Sequence, residues 1–575
     1  MPVGFRMRLR VALAMRMGVG LLMVLLRRNF THRSNLGGSP GGGKVKTCHS
    51  LLFFSKQGGY YRHWRRKRYF EDKMIQFQNL IAGLFTPAQN SQHIPFLSPL
   101  TGMQVGEIAD SDFMDGVRAL QAANHANQSL RKLTRAQQLP QLDLFLKAIS
   151  TRIDDFANAL ALEQGSNLKH ASRACQRALV YAQTHLNQEM ARPFAQSMSA
   201  GLDPRAEFEL ELQMSEVANF KRRSILAPLG VVAVITARLD AFETALARLL
   251  PALVAGDVVI WKGSSLAPRT TQIFAEIVRD LCAQELWTGA WVQILQGKGE
   301  KIGHALVIHP GIHTLSLTGQ TSTAIEIQKA ASESFKRFHY SLGSRNPVLI
   351  FQEAKMIEVV ARVIDLCVLE TGARRGSRIF IQEAVYKSYL EAIGHALDKI
   401  KLGSPIIPGI DLGPVATLEL RDQLLAITKV AKSEQAKSLT LAKSSATEPL
   451  LEKGYFVQPE ALFDLTYCST IQQEELLGPI VTITSFKYLH DAIKHAGNSP
   501  YGRFGYVFCD DPEKALKAAE KLDVETVLVN PNPDSGENLD DQSMSSGGLR
   551  QSGVGGSGFK EMIRFFSRET AVFGL

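Results

Sequence analysis

Residues 224–236 read SILAPLGVVAVIT, a near-continuous apolar run rich in β-branched side chains. A strand with one wet face would alternate apolar and polar residues, so this run predicts a strand buried on both faces. The chain beyond it keeps one rhythm. Residues 241–255 predict a helix, and DVVIW at 257–261 a second buried strand. A helix at 268–283, a strand at 291–296, a short helix at 303–308 and a fourth strand at 313–317 follow. Strands alternating with helices at this spacing form parallel βαβ units. The expected product is a doubly wound α/β sheet, which takes dinucleotides at the carboxyl ends of its strands.

Outward from this block, residues 94–108 are short, apolar and punctuated by Pro and Gly, as edge strands are. Residues 112–164 predict two long amphipathic helices, the second opened by Pro140. A second α/β unit starts near Tyr340, with strands expected at 347–351 and 378–382 and helices at 357–371 and 385–400. Buried strands at 480–486, 506–508 and 526–529 complete it.

The composition is that of an ordinary globular chain, 45% hydrophobic and 21% charged over 575 residues. The net charge of +10 is unevenly spread. Residues 1–73 hold sixteen Lys and Arg against Glu71 and Asp72, a net of +14, which leaves −4 for the rest. A mildly acidic body lacks the basic face that nucleic-acid binding requires. The six cysteines form no CxxC pair and sit at no metal-ligand spacing, so no metal site is expected and the thiols suit a reducing compartment.

The basic segment 1–73 carries the apolar run VALAMRMGVGLLMVLL at 11–26, short for a membrane span and interrupted by Arg16. Three readings stand: a signal or anchor, an organellar transit peptide, or a segment outside the working protein, which then starts at Met74. The expectation for 74–575 is cytoplasmic and away from membranes, with an organellar or anchored location as the alternative.

Several motifs then occur in order: APLGVVAVIT, PALVAGDVVIWK, LTGQT, SLGSRNP, EELLGP, SPYG, VLVN and SGGLRQSG. Together, from about residue 94 to 575, they resemble the aldehyde dehydrogenase superfamily. The resemblance implies an α/β protein with a Rossmann-type cofactor domain at 94–340. It also implies a catalytic-type α/β domain at 341–530 and a return to the cofactor domain with an oligomerisation strand at 531–575. An oligomerisation β-hairpin is implied at 203–221. A homodimer or homotetramer, or a mixed oligomer with an active relative, is the implied assembly.

The family's chemistry needs a thiolate nucleophile, an oxyanion site, a nicotinamide hydride acceptor and a carboxylate that activates water. The loop that carries the thiol reads ETGARRGSR at 370–378, two residues short of the family pattern. Its cysteine position is Ala373 or Arg375, according to the end from which the loop is aligned, and neither has a thiol. The general-base position is Ser341, and the oxyanion asparagine position is Leu239. Cys367 on the preceding helix and His339 on the strand before Ser341 read as structural residues.

The implied cofactor positions are better kept. Lys262 matches the family's ribose-binding lysine, and Ser265 replaces its acidic partner, which permits NADP as well as NAD. Thr236, Arg238, Gly319, Gln320 and Glu475 complete the implied set. Three function readings follow. The first is a pseudoenzyme without thiol-dependent aldehyde oxidation. The second is an NAD(P)-dependent oxidoreductase on an aldehyde or oxo group. The third is different chemistry on an anionic ligand held by Arg374 or Arg375.

Overall fold

A computed structural model describes residues 74–191, 222–439, 453–532 and 547–573. The segment 1–73 and the expected hairpin 203–221 lie outside the described residues. Two sheets organise the rest, within one contact unit.

The first sheet is built around the quoted run, which is two strands and not one. Arg222–Pro228 and Val231–Ile235 are separated at Leu229 and Gly230. Gly230 has φ +110°, a backbone state that side chains disfavour. Its N–H donates to the Asp257 carboxylate at 2.8 Å. The chain therefore turns here, and each half joins a different sheet. Val231–Ile235 sits mid-sheet with Val232, Ala233 and Val234 fully buried.

Its parallel neighbours are Thr314–Thr318 on one side and Val258–Lys262 on the other. Arg337–Ser341 and Val292–Leu295 extend the parallel set. Short antiparallel edges close it, Gly553–Val554 beside Arg337–Ser341 and Asn79–Ile81 beside Val292–Leu295. The helices Ala241–Ala255 and Pro268–Ala283 cross over between these strands, as parallel pairing requires. Phe156, Phe242, Phe274 and Trp261 pack ring to ring between helix layer and sheet, with centroids 4.6 to 5.6 Å apart. Each such ring removed from water contributes roughly 1.5–3 kcal/mol.

The second sheet runs Lys437–Ser438, Glu460–Phe463, Ile480–Phe486, Gly376–Gln382, Asn346–Ile350, Phe504–Phe508, Thr526–Val529. All its pairs are parallel except the first. The strand Ser567–Phe573 pairs antiparallel with Arg222–Pro228.

Three expectations need correction. The body reaches back to Ile75, ahead of 94, because Asn79–Ile81 and Leu84–Thr86 complete one edge of the first sheet. These strands have three residues each, too short to show a period. The region 112–164 holds three helices, Phe113–Leu130, Arg135–Thr151 and Ile153–Gln164. Pro140 lies inside the second, because Thr134 and Gln137 form a capping box that starts the helix earlier. The oligomerisation strand expected within 531–575 is confined to Ser567–Phe573, because Phe559–Phe565 ahead of it is a helix.

Among the described residues, no helix is long and apolar enough to cross a membrane, and no group of three or more His, Cys, Asp or Glu is placed to hold a metal ion.

Candidate functional site

Parallel strands end together, so the residues at their carboxyl ends share one rim. Ile235, Lys262, Thr318 and Ser341 occupy that rim and line a cavity of about 830 Å³ between the two sheets. This is the volume of a site for a sizeable organic ligand. Of the positions singled out in the sequence, Thr236, Arg238, Leu239, Lys262, Gly319, Gln320, Ser341, Ala373, Arg375 and Glu475 all line it. Ser265 does not, although its neighbours Ser264 and Leu266 do.

Lys262 ends its strand 4% exposed, and its ammonium has no hydrogen-bond acceptor among the described residues. Burial pushes its pKa down to about 8. Arg238 is 7% exposed and likewise has no acceptor for its guanidinium among the described residues. Burial lowers it to about 10, against the pull of Asp240 and Glu163. Buried cations are costly unless something negative meets them. Gln320 caps the helix Thr321–Ala330, whose N-terminus opens on the same wall. These features fit an anionic, phosphate-bearing ligand.

The opposite wall is the loop 370–375. Asp240 holds it across the cavity. Its Oδ2 accepts the Ala373 N–H at 2.8 Å, and its Oδ1 lies where a side chain on Gly372 would stand, 2.1 Å from an ideal Cβ. Asp240 adopts φ +50°, an uncommon backbone state for a non-glycine residue. Burial, with Glu243 and Glu370 nearby, raises its pKa to about 6, while the Ala373 N–H and Arg374 oppose the rise. Ser344 Oγ and Asn346 Nδ2 donate to the Ala373 carbonyl at 3.1 and 3.0 Å, fixing the loop from below.

The two loop arginines are already engaged. Arg375 donates to the carbonyls of Cys367, Leu476 and Ile480. Arg374 pairs with Glu243 at 2.7 Å. Burial opposes ionisation of Glu243, but Arg374 and Arg177 hold its pKa below the usual value. The expectation that Arg374 or Arg375 receives an anionic ligand is therefore corrected, since protein oxygens occupy both forks.

Glu475 sits against Gly343 and accepts the Ser344 N–H at 2.8 Å. Burial raises its pKa, partly offset by that N–H and by Arg503. Cys367 is fully buried, outside the cavity lining, and burial pushes its thiol up to about 12. None of the five described cysteines lines the cavity. His339 is held by Ser316 and Ser557 at 3.0 and 3.1 Å. Burial, with Arg248 and Arg503, keeps it neutral.

Sequence reading gave no role to Asp240, Glu243, Arg248, Arg503 or Ser557. Asp240 stands beside Leu239 in a motif already compared with the family, and Arg503 directly follows SPYG, so departures next to motifs were the available signal.

The fold and the cavity define a two-domain α/β protein with a large cavity at the carboxyl ends of the parallel strands. The aldehyde dehydrogenase family model matches residues 85–572, and the chain belongs to that family. Two staphylococcal relatives carry names that assign them provisionally to aldehyde dehydrogenase. The Staphylococcus saprophyticus protein is 26% identical over 478 residues, covering 83% of this chain and 94% of its own. The Staphylococcus haemolyticus protein is 27% identical over 482 residues, with the same coverage of both chains.

Among solved structures, betaine aldehyde dehydrogenase of Staphylococcus aureus in complex with NAD+ superposes with a TM-score of 0.77 at 23% identity, covering 87% of this chain and 97% of its own. Lactaldehyde dehydrogenase of Escherichia coli gives 0.77 at 21%, covering 87% and 99%. At these identities the likeness shows the fold.

Proposed function

We propose that this chain is a nucleotide-binding, dehydrogenase-like protein that does not carry out thiol-dependent aldehyde oxidation. The observation that carries the reading is the contact of the Asp240 carboxylate with the Ala373 N–H. We take Ala373 as the family's nucleophile position, because its N–H faces the turn that holds Leu239. An oxyanion formed there would need that donor. A carboxylate already occupies it and would repel the negative charge. Three further features support the reading. Ala373 has no thiol, Leu239 offers no donor, and Ser341 is no base near neutral pH.

Nucleotide binding rests on Lys262 and Arg238, two buried cations without an acceptor among the described residues. They would hold the phosphates and ribose of NADP or NAD, with Thr236, Gly319 and Gln320 on the same wall and Glu475 across the cavity. A nicotinamide cofactor, where bound, supplies a hydride acceptor. The second reading, an NAD(P)-dependent oxidoreductase on an aldehyde or oxo group, is favoured by the family match over 85–572.

Calorimetric titration with NADP and NAD, followed by assays for reduced coenzyme across a panel of aldehydes, separates the readings. Binding without coenzyme reduction is the expected result. Turnover that cysteine alkylation abolishes would overturn the first reading and support the second. No binding of either nucleotide would overturn both.

A further inference from the structure

One corner of the cavity holds two arginines that the nucleotide reading does not use. Arg248 projects from the helix Ala241–Ala255, and Arg503 lies between the short strand Tyr501–Gly502 and the strand Phe504–Phe508. Both line the cavity beside Ser341, Leu342 and Ser557. Among the described residues, Arg248, 4% exposed, donates only to the Ser557 carbonyl and hydroxyl at 3.4 and 3.2 Å and leaves its buried Nε without a partner. Arg503 donates to the Leu342 carbonyl at 3.2 Å. Neither forms an ion pair within 4.0 Å among the described residues.

The surroundings deepen the imbalance. Ser557 Oγ accepts from Arg248 and also meets His339 Nε2 at 3.1 Å, as donor or acceptor according to the imidazole tautomer. The hydroxyl therefore satisfies one N–H of Arg248 without neutralising it. Arg248 sits in the field of Arg503: burial and then Arg503 depress its pKa to about 10. The carboxylates whose fields reach these arginines are Glu525, which accepts the Gly548 N–H, Asp240, which accepts the Ala373 N–H, and Glu243, which is paired with Arg374; Arg374 adds a further positive charge near Arg503. Two like charges brought together at a cavity wall, without a bonded carboxylate, leave the place of one anion open.

We propose that the Arg248–Arg503 corner binds the carboxylate of a small organic acid as a monoanion. A carboxylate there would accept the guanidinium N–H groups that the Ser557 and Leu342 oxygens leave over, and its charge would meet two arginines that no carboxylate pairs among the described residues. A dianion suits the corner less, because Asp240, Glu243 and Glu525 all line the same cavity. The corner shares its cavity with the proposed nucleotide site but uses other residues, so either can fail alone. Ser341, followed by Leu342 at this corner, ends the strand whose parallel neighbour Thr314–Thr318 leads to Gln320. A ligand anchored here would extend toward the nucleotide wall.

The test uses the full chain at constant ionic strength, with acetate, propionate, succinate and inorganic phosphate as probes in thermal-shift and calorimetric titrations. A saturable rise in Tm with a carboxylate is expected, with affinity at least tenfold weaker in Arg503→Gln. Arg503→Lys should keep part of that affinity, and NADP or NAD titration of Arg503→Gln serves as the folding control by matching the wild type. Four outcomes overturn the proposal: no saturable response to any carboxylate, an unchanged response in Arg503→Gln, equal loss of carboxylate and nucleotide binding, or saturable binding of phosphate alone.

Discussion

At the residue scale, the cavity wall holds buried cations whose burial costs stability. Lys262 has its pKa lowered by burial from 10.5 to about 8. Its folded value lies below its unfolded one, so the destabilisation is full below pH ~8 and fades as pH rises toward the ordinary lysine value. Lys262→Met should therefore raise stability by roughly 1–3 kcal/mol near neutral pH. The same substitution should weaken nucleotide binding, so denaturant melts and calorimetry should move in opposite directions. In the wild type, nucleotide affinity should fall as pH rises through about 8. A flat affinity between pH ~6.5 and ~9.5 would remove Lys262 from the site. Ala373→Cys should not restore aldehyde oxidation. Its N–H would stay on Asp240, whose charge also opposes thiolate formation. Coenzyme-reduction assays on that variant check this, and measurable thiol-dependent turnover would refute the role given to Asp240.

At the element scale, turns decide where each strand goes. Gly165 ends the helix Ile153–Gln164 at φ +75°, and an ideal Cβ there would lie 2.1 Å from the Pro414 carbonyl oxygen. Helix end and neighbouring loop thus meet backbone to backbone. Gly165→Ala combines an unfavourable φ with a clash and should cost about 2 kcal/mol or more, read from chemical denaturation. A change below about 0.5 kcal/mol would mean that the loop at Pro414 yields freely. Gly230 acts similarly by dividing the run 224–236 into strands of two sheets.

At the scale of the whole molecule, the first sheet depends on residues ahead of the family motifs. Leu80 is fully buried, and Asn79 Oδ1 accepts from both Ser111 Oγ and the Gln296 N–H. A chain starting at Met74 should keep the full Tm, whereas one starting at residue 94 should melt lower or fail to fold. Equal melting of the two would show that this edge is dispensable. Assembly is a further expectation. The paired strands Arg222–Pro228 and Ser567–Phe573 form a sheet of only two, whose outer edges lack strand partners among the described residues. Such edges pair readily with another copy. Light scattering at micromolar concentration should give a mass of two or four chains, and a single-chain mass would exclude that use of the edges.

The sequence by itself determined the layered α/β architecture, because burial on both faces leaves its mark as apolar runs such as VVAVI and DVVIW. It also shows that the loop 370–378 holds no cysteine, since side-chain chemistry is written in the residue itself, and the resemblance alone puts Ser341 and Leu239 at the positions proposed for the family's base and donor. It did not place the three-residue strands near Asn79, the break at Gly230 or the cap that puts Pro140 inside a helix, because each depends on local hydrogen bonds that leave no period. Nor could it show what the arginines face. Only the tertiary structure decided that Arg374 and Arg375 are engaged by Glu243 and by backbone carbonyls, while Lys262, Arg238 and Arg248 stand buried without a carboxylate bonded to them among the described residues. A charge's partner comes from a distant part of the chain, so its pairing exists only once the fold has brought the two walls together.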